Sequence, residues 1–177
     1  GKWGGLELNY SSDIDVLFIV GDGSTAEDLA RYHRQAVQVI DLLARNTADG
    51  FVFRVDNRLR PEGNAGPLVR TLRQYLQHYR ERGRAWEFQA LVKARCGGGD
   101  AALAAEFIAR TRPLVYHPKD NPEEVLVGVR EMKAKIEDAL ASHHHQAQNV
   151  KLSPGGIRDI EFLVQFLKLH HGSRNDS

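Results

Sequence analysis

The order of apolar and polar positions divides the chain near Pro61. Before it, Asp13-Ile14-Asp15-Val16-Leu17-Phe18-Ile19-Val20 is a β-branched and aromatic run stopped by Gly21-Asp22-Gly23, which predicts a buried strand. From Thr25 to about Asn46, Leu29, Ala36, Val39, Ile40 and Leu43 recur at helical spacing with Arg and Gln between them, so a long amphipathic helix comes next. Asp49-Gly50 then turns the chain. Phe51, Phe53 and Val55 alternate with Val52, Arg54 and Asp56 until Pro61, which predicts a second strand. Beyond the turn-rich stretch 61–67, helical patterns cover about 71–82, 84–96, 100–112, 122–142 and 156–171. Gly97-Gly98-Gly99 separates two of these, and Asp100 is placed to cap the later one. The pattern is that of an α/β (α+β) protein whose second half is mainly helix, with no internal repeat.

Size and charge narrow this picture. With 177 residues, 42% of them apolar, the chain can bury one substantial core but not two ordinary enzyme domains. A net charge of +1 argues against binding nucleic acid through global electrostatics, so any anion site must be local. The single cysteine, Cys96, permits neither an internal disulfide nor a cysteine-rich zinc site, and a reducing compartment, the cytoplasm, is expected. No apolar run approaches the roughly 20 residues that span a bilayer, so no membrane partner is expected. Gly1-Lys2-Trp3-Gly4-Gly5 reads as an interior loop that should follow a strand, and the chain is expected to be a piece of a longer protein.

The chemistry concentrates where the first strand begins. Asp13 and Asp15, one residue apart on a strand, project from the same face and repel each other. A divalent cation between them removes that repulsion, and magnesium prefers such oxygen ligands together with water and substrate phosphates. D-x-D also occurs by chance at solvated strand ends, so context matters. Upstream lie Gly4-Gly5 and Ser11-Ser12, a glycine turn with hydroxyls whose N–H groups can approach a triphosphate. Downstream the second strand supplies Asp56, flanked by Arg54, Arg58 and Arg60, as a third carboxylate. Such a set suits in-line displacement at a nucleotide's α-phosphorus, with Asp56 assisting the nucleophile.

The run from Gly1 to Asp15, G-K-W-G-G-L-E-L-N-Y-S-S-D-I-D, resembles the signature of the glutamine synthetase adenylyltransferase family, within the polymerase-β-like nucleotidyltransferases. Further blocks match in order: Phe53 to Pro61, Gly66 to Val69, Gly83 to Glu87, Lys93-Ala94-Arg95, and Gly155 to Phe162. The resemblance implies a nucleotidyltransferase core with a mixed sheet over 1–97, lacking its first strand, and a helical extension over 98–177. Members carry two such domains: one adds AMP from ATP to a tyrosine of glutamine synthetase, the other removes it by phosphorolysis and releases ADP. Arg54-Val55-Asp56, Gly66-Pro67-Leu68-Val69 and Gly83-Arg84 resemble the removing half. The opposite activity, or a regulatory domain that keeps the fold without turnover, are the alternatives.

By the same resemblance, Mg²⁺ is held by Asp13, Asp15 and Asp56, while Gly4, Gly5 and Ser12 hold phosphate. Arg58, Arg60, Lys93 and Arg95 are candidate phosphate clamps, or alternatively pair with carboxylates to join sheet and helices. Gly155, Gly156 and Arg158 open a helix whose N–H groups can receive an anion, or merely form a tight loop before an amphipathic helix. Expected partners are glutamine synthetase, the PII signal protein, and ATP, ADP and phosphate.

Three other signals carry less. His143-His144-His145 point in different directions and cannot easily share one ion. Cys96 has no partnered histidine and reads as a small buried side chain. Nine basic and three acidic residues lie between Arg58 and Arg95 with Tyr75, Tyr79 and Trp86 interleaved, as on some nucleic-acid binders. The helical spacing of Leu72, Tyr75, Leu76 and Tyr79 explains the aromatics as core, and nucleic acid is not an expected partner.

Overall fold

The computed structural model describes residues 1–10, 12–116 and 156–171, together with 127, 130, 131, 133 and 134. The chain forms two compact units, one of Gly1–Gly83 and Lys93–Thr111, the other of Arg84–Val92 and Arg112–Ser177.

In the first unit the run expected as one strand is two: β1 (Asp13–Asp15) and β2 (Phe18–Val20). They belong to different two-stranded sheets. β1 pairs in parallel with β3 (Arg54–Asp56), and β2 pairs in parallel with β4 (Val69–Thr71). The only antiparallel pairing among the described residues is an isolated bridge between Thr47 and Gly50. Val16 N–H still donates to the Asp56 carbonyl at 3.0 Å, and then the chain leaves β3 for a new partner. β4 comes after the turn that ends at Gly66 and is too short to show a period in the sequence.

Parallel strands cannot be joined by a hairpin and need a crossover. Here it is α1 (Ala26–Ala44), which begins at a capping box: Thr25 Oγ1 accepts from Asp28 N–H at 3.1 Å, and Thr25 N–H donates to Asp28 Oδ2 at 3.0 Å. α1 packs on β3 and β4. Its buried Ala36 joins Val20, Leu68 and Val69 in a core flanked by Phe18, Leu29, Tyr32 and Ile40. Leu29, Ala36 and Ile40 are the helical-period positions of the sequence, whereas Val39 is exposed.

α2 (Leu72–Arg82) starts directly from β4, with Thr71 as its cap. Asp22, at the end of β2, accepts from Arg73 N–H at 2.7 Å, an acceptor at a helix N-terminus where unpaired N–H groups point. The helix buries Leu72, Tyr75, Leu76 and Tyr79. Tyr75 meets the ring of Phe107 edge-on at 5.9 Å, with Phe107 coming from α4 (Ala101–Tyr116). Asp100 Oδ1 caps α4 by accepting from Ala102 and Leu103 N–H at 2.8 and 3.1 Å. That helix runs past the expected end at 112 despite the internal Pro113. Its last turn is held in the second unit, where Val115 is buried and Tyr116 Oη donates to the Val92 carbonyl at 3.0 Å.

Also in the second unit, α3 (Ala85–Leu91) packs against α5 (Ile157–His171), with Gln89 and Gln165 hydrogen-bonded across them. Glu87, 2% exposed, accepts from Arg84 N–H at 2.9 Å and so ties down the first turn of α3. Most of the helix expected over 122–142, the His143–His145 run and Gly155 lie outside the described residues. No described helix is long and apolar enough to cross a membrane.

Candidate active site

Strand geometry orients the first two carboxylates. Ile14 is 1% exposed and faces inward, so Asp13 and Asp15 project together from the other face of β1. Parallel pairing sets Asp13 opposite Arg54 and Asp15 opposite Asp56, so the three aspartates lie on two hydrogen-bonded strands. Each carboxylate has a different environment. Asp13 Oδ1 accepts from Arg54 Nε at 2.6 Å. Asp56 is gripped by Arg58, whose Nε lies 3.0 and 3.1 Å from its two oxygens and whose backbone N–H donates at 2.9 Å. Hydrogen bonding from the Arg58 side chain holds the Asp56 carboxyl below its ordinary value, against partial burial. Asp15 moves the other way. Burial lifts its carboxyl, and the charges of Asp56 and Asp13 add to the rise.

The glycine loop reaches this strand. A Cβ on Gly1 would stand 1.8 Å from the Asp15 carboxylate, so the loop backbone lies directly against that side chain. The loop closes on itself: Glu7 N–H donates to the Lys2 carbonyl at 3.0 Å and Leu6 N–H to the Trp3 carbonyl at 3.2 Å. This is the bond pair of a helix-ending Schellman turn, with Leu6 at φ 58° in the position glycine usually takes. Gly4 and Gly5 allow a second close approach. A Cβ at Gly4 would fall 1.9 Å from the Lys93 carbonyl oxygen, and one at Gly5 2.7 Å from the Lys93 side chain. Ser12 lies just before β1, its N–H donating to the Asn9 carbonyl at 3.2 Å, while Ser11 lies outside the described residues.

The basic residues divide by task. Arg58 is exposed and sits on Asp56. Arg60 is 7% exposed, and its guanidinium donates to Asn57 and to the Gly66 carbonyl, holding the turn before β4. Lys93 pairs with Glu7, and Arg95 Nε donates to the Trp3 carbonyl at 3.2 Å. Gly156 and Arg158 begin α5 in the second unit, where Gly156 O accepts from Asp159 N–H at 3.0 Å. Cys96 is half-buried and directs its Sγ at the Gly98 carbonyl.

Three contributors give little or no sign in the sequence. Arg54 is visible there only as a neighbour of Asp56, yet the period of a strand puts it on the same face, two residues back. Trp3 and Glu7 stand out in the sequence only as members of the Gly1–Asp15 run, because their partners Arg95 and Lys93 lie 92 and 86 positions away. Among the described residues, no three acidic, histidine or cysteine side chains converge as an ion-holding group. The carboxylates of Asp13 and Asp56 are turned to Arg54 and Arg58 instead.

A family profile described as glutamate-ammonia ligase adenylyltransferase matches residues 1–110, and one described as PII-uridylyltransferase matches 130–176. The chain is similar to proteins named bifunctional glutamine synthetase adenylyltransferase/adenylyl-removing enzyme. It is 40% identical to that of Streptomyces coelicolor over 100% of its own length, 39% to that of Pseudomonas aeruginosa over 99%, and 42% to that of Xanthomonas campestris over 100%. It spans about 18% of the length of the first two relatives and 19% of the third. With identity of this order along its whole length, the chain belongs to the glutamate-ammonia ligase adenylyltransferase family.

Proposed function

We propose that this chain catalyses adenylyl transfer on glutamine synthetase, in the direction that removes AMP from an adenylylated tyrosine by phosphorolysis and releases ADP. The observation that carries the proposal is the β1–β3 register, which sets Asp15 beside Asp56 with Asp13 on the same face and the glycine loop against Asp15. The direction rests on the sequence blocks Arg54-Val55-Asp56, Gly66 to Val69 and Gly83-Arg84, which resemble the removing half. In this reading glutamine synthetase is the protein substrate, phosphate and ADP are the small substrate and product, the PII signal protein is a regulator, and the cytoplasm is the compartment.

The donor set suits magnesium: carboxylate oxygens on adjacent strands, on which water and phosphate oxygens complete the ligation. Turning the Asp13 oxygen from Arg54 to a cation costs little. The Arg54–Asp13 pair is 51% and 48% exposed, and solvated pairs of this kind contribute about 0–1 kcal/mol. When bound between Asp13, Asp15 and Asp56, the cation supplies charge stabilisation to the α-phosphoryl oxygens and the leaving oxygen. The chain's own residues do the rest. The loop N–H groups of Gly4 and Gly5, with Ser12, orient phosphate oxygens. An oxygen of inorganic phosphate bonds to the α-phosphorus as the bond to the tyrosine oxygen breaks, and the proton of the phosphate nucleophile ends on tyrosine. Asp56, kept ionised by Arg58, accepts a hydrogen bond from that nucleophile and aligns it.

Adenylylated glutamine synthetase, magnesium and phosphate, mixed with the parent-length protein, should yield ADP. A twin carrying Asp13→Asn and Asp15→Asn should lose it. Equal ADP from both would remove the catalytic assignment from this domain. Pyrophosphate release from ATP in place of ADP would assign the adding direction.

A further inference from the structure

The segment Lys93–Cys96 leaves helical geometry where the sequence expects helix to continue, since α3 ends at Leu91, and Gly97 follows it. Its residues instead surround the glycine loop. Trp3 is the centre of the contact. The Arg95 guanidinium carbon lies 4.8 Å from the centroid of the Trp3 ring, within reach of a cation–π attraction. From the same side chain, Nε donates to the Trp3 carbonyl, which also accepts the Leu6 N–H that closes the turn. Gly97 lies against the ring, where a Cβ would come within 2.6 Å of two ring carbons. Lys93 adds an ion pair to Glu7 and presses its carbonyl against Gly4. Trp3 in turn stands 6.4 Å, centroid to centroid, from Phe53, the residue before β3.

We propose that Arg95, through the Trp3 ring and carbonyl and with Gly97 against the edge of the ring, is a positioning residue that holds the glycine loop in register with β1 and β3. This rests on the phosphate-handling role proposed above for that loop. The physical case is that the loop's internal bonds close the turn, while contacts from residues 93–97 on Trp3, Gly4 and Glu7 seat it. Two contacts of different kinds from one guanidinium, a cation over the ring and a hydrogen bond to its carbonyl, define both the tilt and the position of residue 3. Arg95 therefore acts on phosphate through the loop, without being a ligand to it.

Labelling the full-length protein with 5-fluorotryptophan, and assigning the Trp3 resonance by its loss in Trp3→Phe, gives a readout independent of turnover. Arg95→Met removes the cation and donor, whereas Gly97→Ala leaves Arg95 intact and pushes the ring at its edge. Both should move the Trp3 fluorine signal toward that of solvent-exposed tryptophan, and Arg95→Lys should retain part of the native shift. Both should also raise the KM for inorganic phosphate by about tenfold or more, with a smaller change in kcat. An unmoved resonance in both variants overturns the clasp. So does a KM change in Arg95→Met alone, since that outcome makes Arg95 a direct phosphate ligand. Absence of ADP from the unaltered protein counts against the proposed function only, and the clasp then stands or falls on the resonance.

Discussion

Asp56 and Asp15 face each other across one strand pair and are pushed in opposite directions, and the cause of each push is a single neighbourhood. Asp56 has Arg58 on it, whereas Asp15 is desolvated with two like charges nearby. Asp56, with its carboxyl depressed, contributes stability that is present above its ordinary value of 3.8 and is lost as pH falls through the lower folded value. In Arg58→Ala the main depressing bond is gone, while burial remains. The stability that Asp56 loses on acidification should then shrink or vanish, so that urea midpoints at neutral and at acid pH differ less in this variant than in the unaltered protein. Arg58 is 68% exposed, so the effect on stability at neutral pH should be small. Leu6 illustrates a different residue-scale fact. An exposed leucine at positive φ is tolerated because the two bonds of its turn leave no other conformation for it.

At the scale of elements, the short strands depend on the helices that succeed them in the chain. β4 and α2 meet at Thr71, which ends the strand and caps the helix: its Oγ1 accepts from Gln74 N–H at 3.2 Å and its N–H donates to Gln74 Oε1 at 2.9 Å. Thr71→Ala should cost about 1–2 kcal/mol in urea denaturation, because it orphans a helix N–H in a buried place. Thr71→Ser should recover most of that. The capping box at Thr71 is legible in the sequence, since T-x-x-Q precedes an apolar helical pattern, and so is the Thr25 box of α1. The early end of α3 is not. Its sequence continues a helical pattern to 96, but the Trp3 and Glu7 contacts take residues 93–97 into another shape.

On the scale of the whole molecule, the first unit is held by the Val20–Ala36–Leu68–Val69 core and by the aromatic cluster of Tyr75, Tyr79 and Phe107. Tyr75 is fully buried, and its Oη has no hydrogen-bond partner among the described residues. Burial pushes its ionisation above the ordinary tyrosine value, ahead of the opposing charges of Arg70 and Arg60. A hydroxyl in that position forfeits its hydration without compensation. Tyr75→Phe should therefore stabilise the fold by about 1 kcal/mol, measurable as a higher urea midpoint at unchanged m-value.

The sequence by itself determined the local terms: which residues cap helices, which face of α1 and α2 is apolar, and that Asp13 and Asp15 share one side of a strand. These arise from periods and side-chain chemistry within a few residues. Tertiary structure alone decided the partners. The break between β1 and β2, the strand β4, the register that puts Asp15 beside Asp56, and the gathering of Lys93, Arg95 and Gly97 around Trp3 all depend on contacts between segments distant in the chain. A three-residue strand has too few positions to display a period, and an arginine carries the same charge whether it faces a phosphate, a carboxylate or a tryptophan ring. Only folding selects among those partners, because the choice depends on which of them is brought within reach.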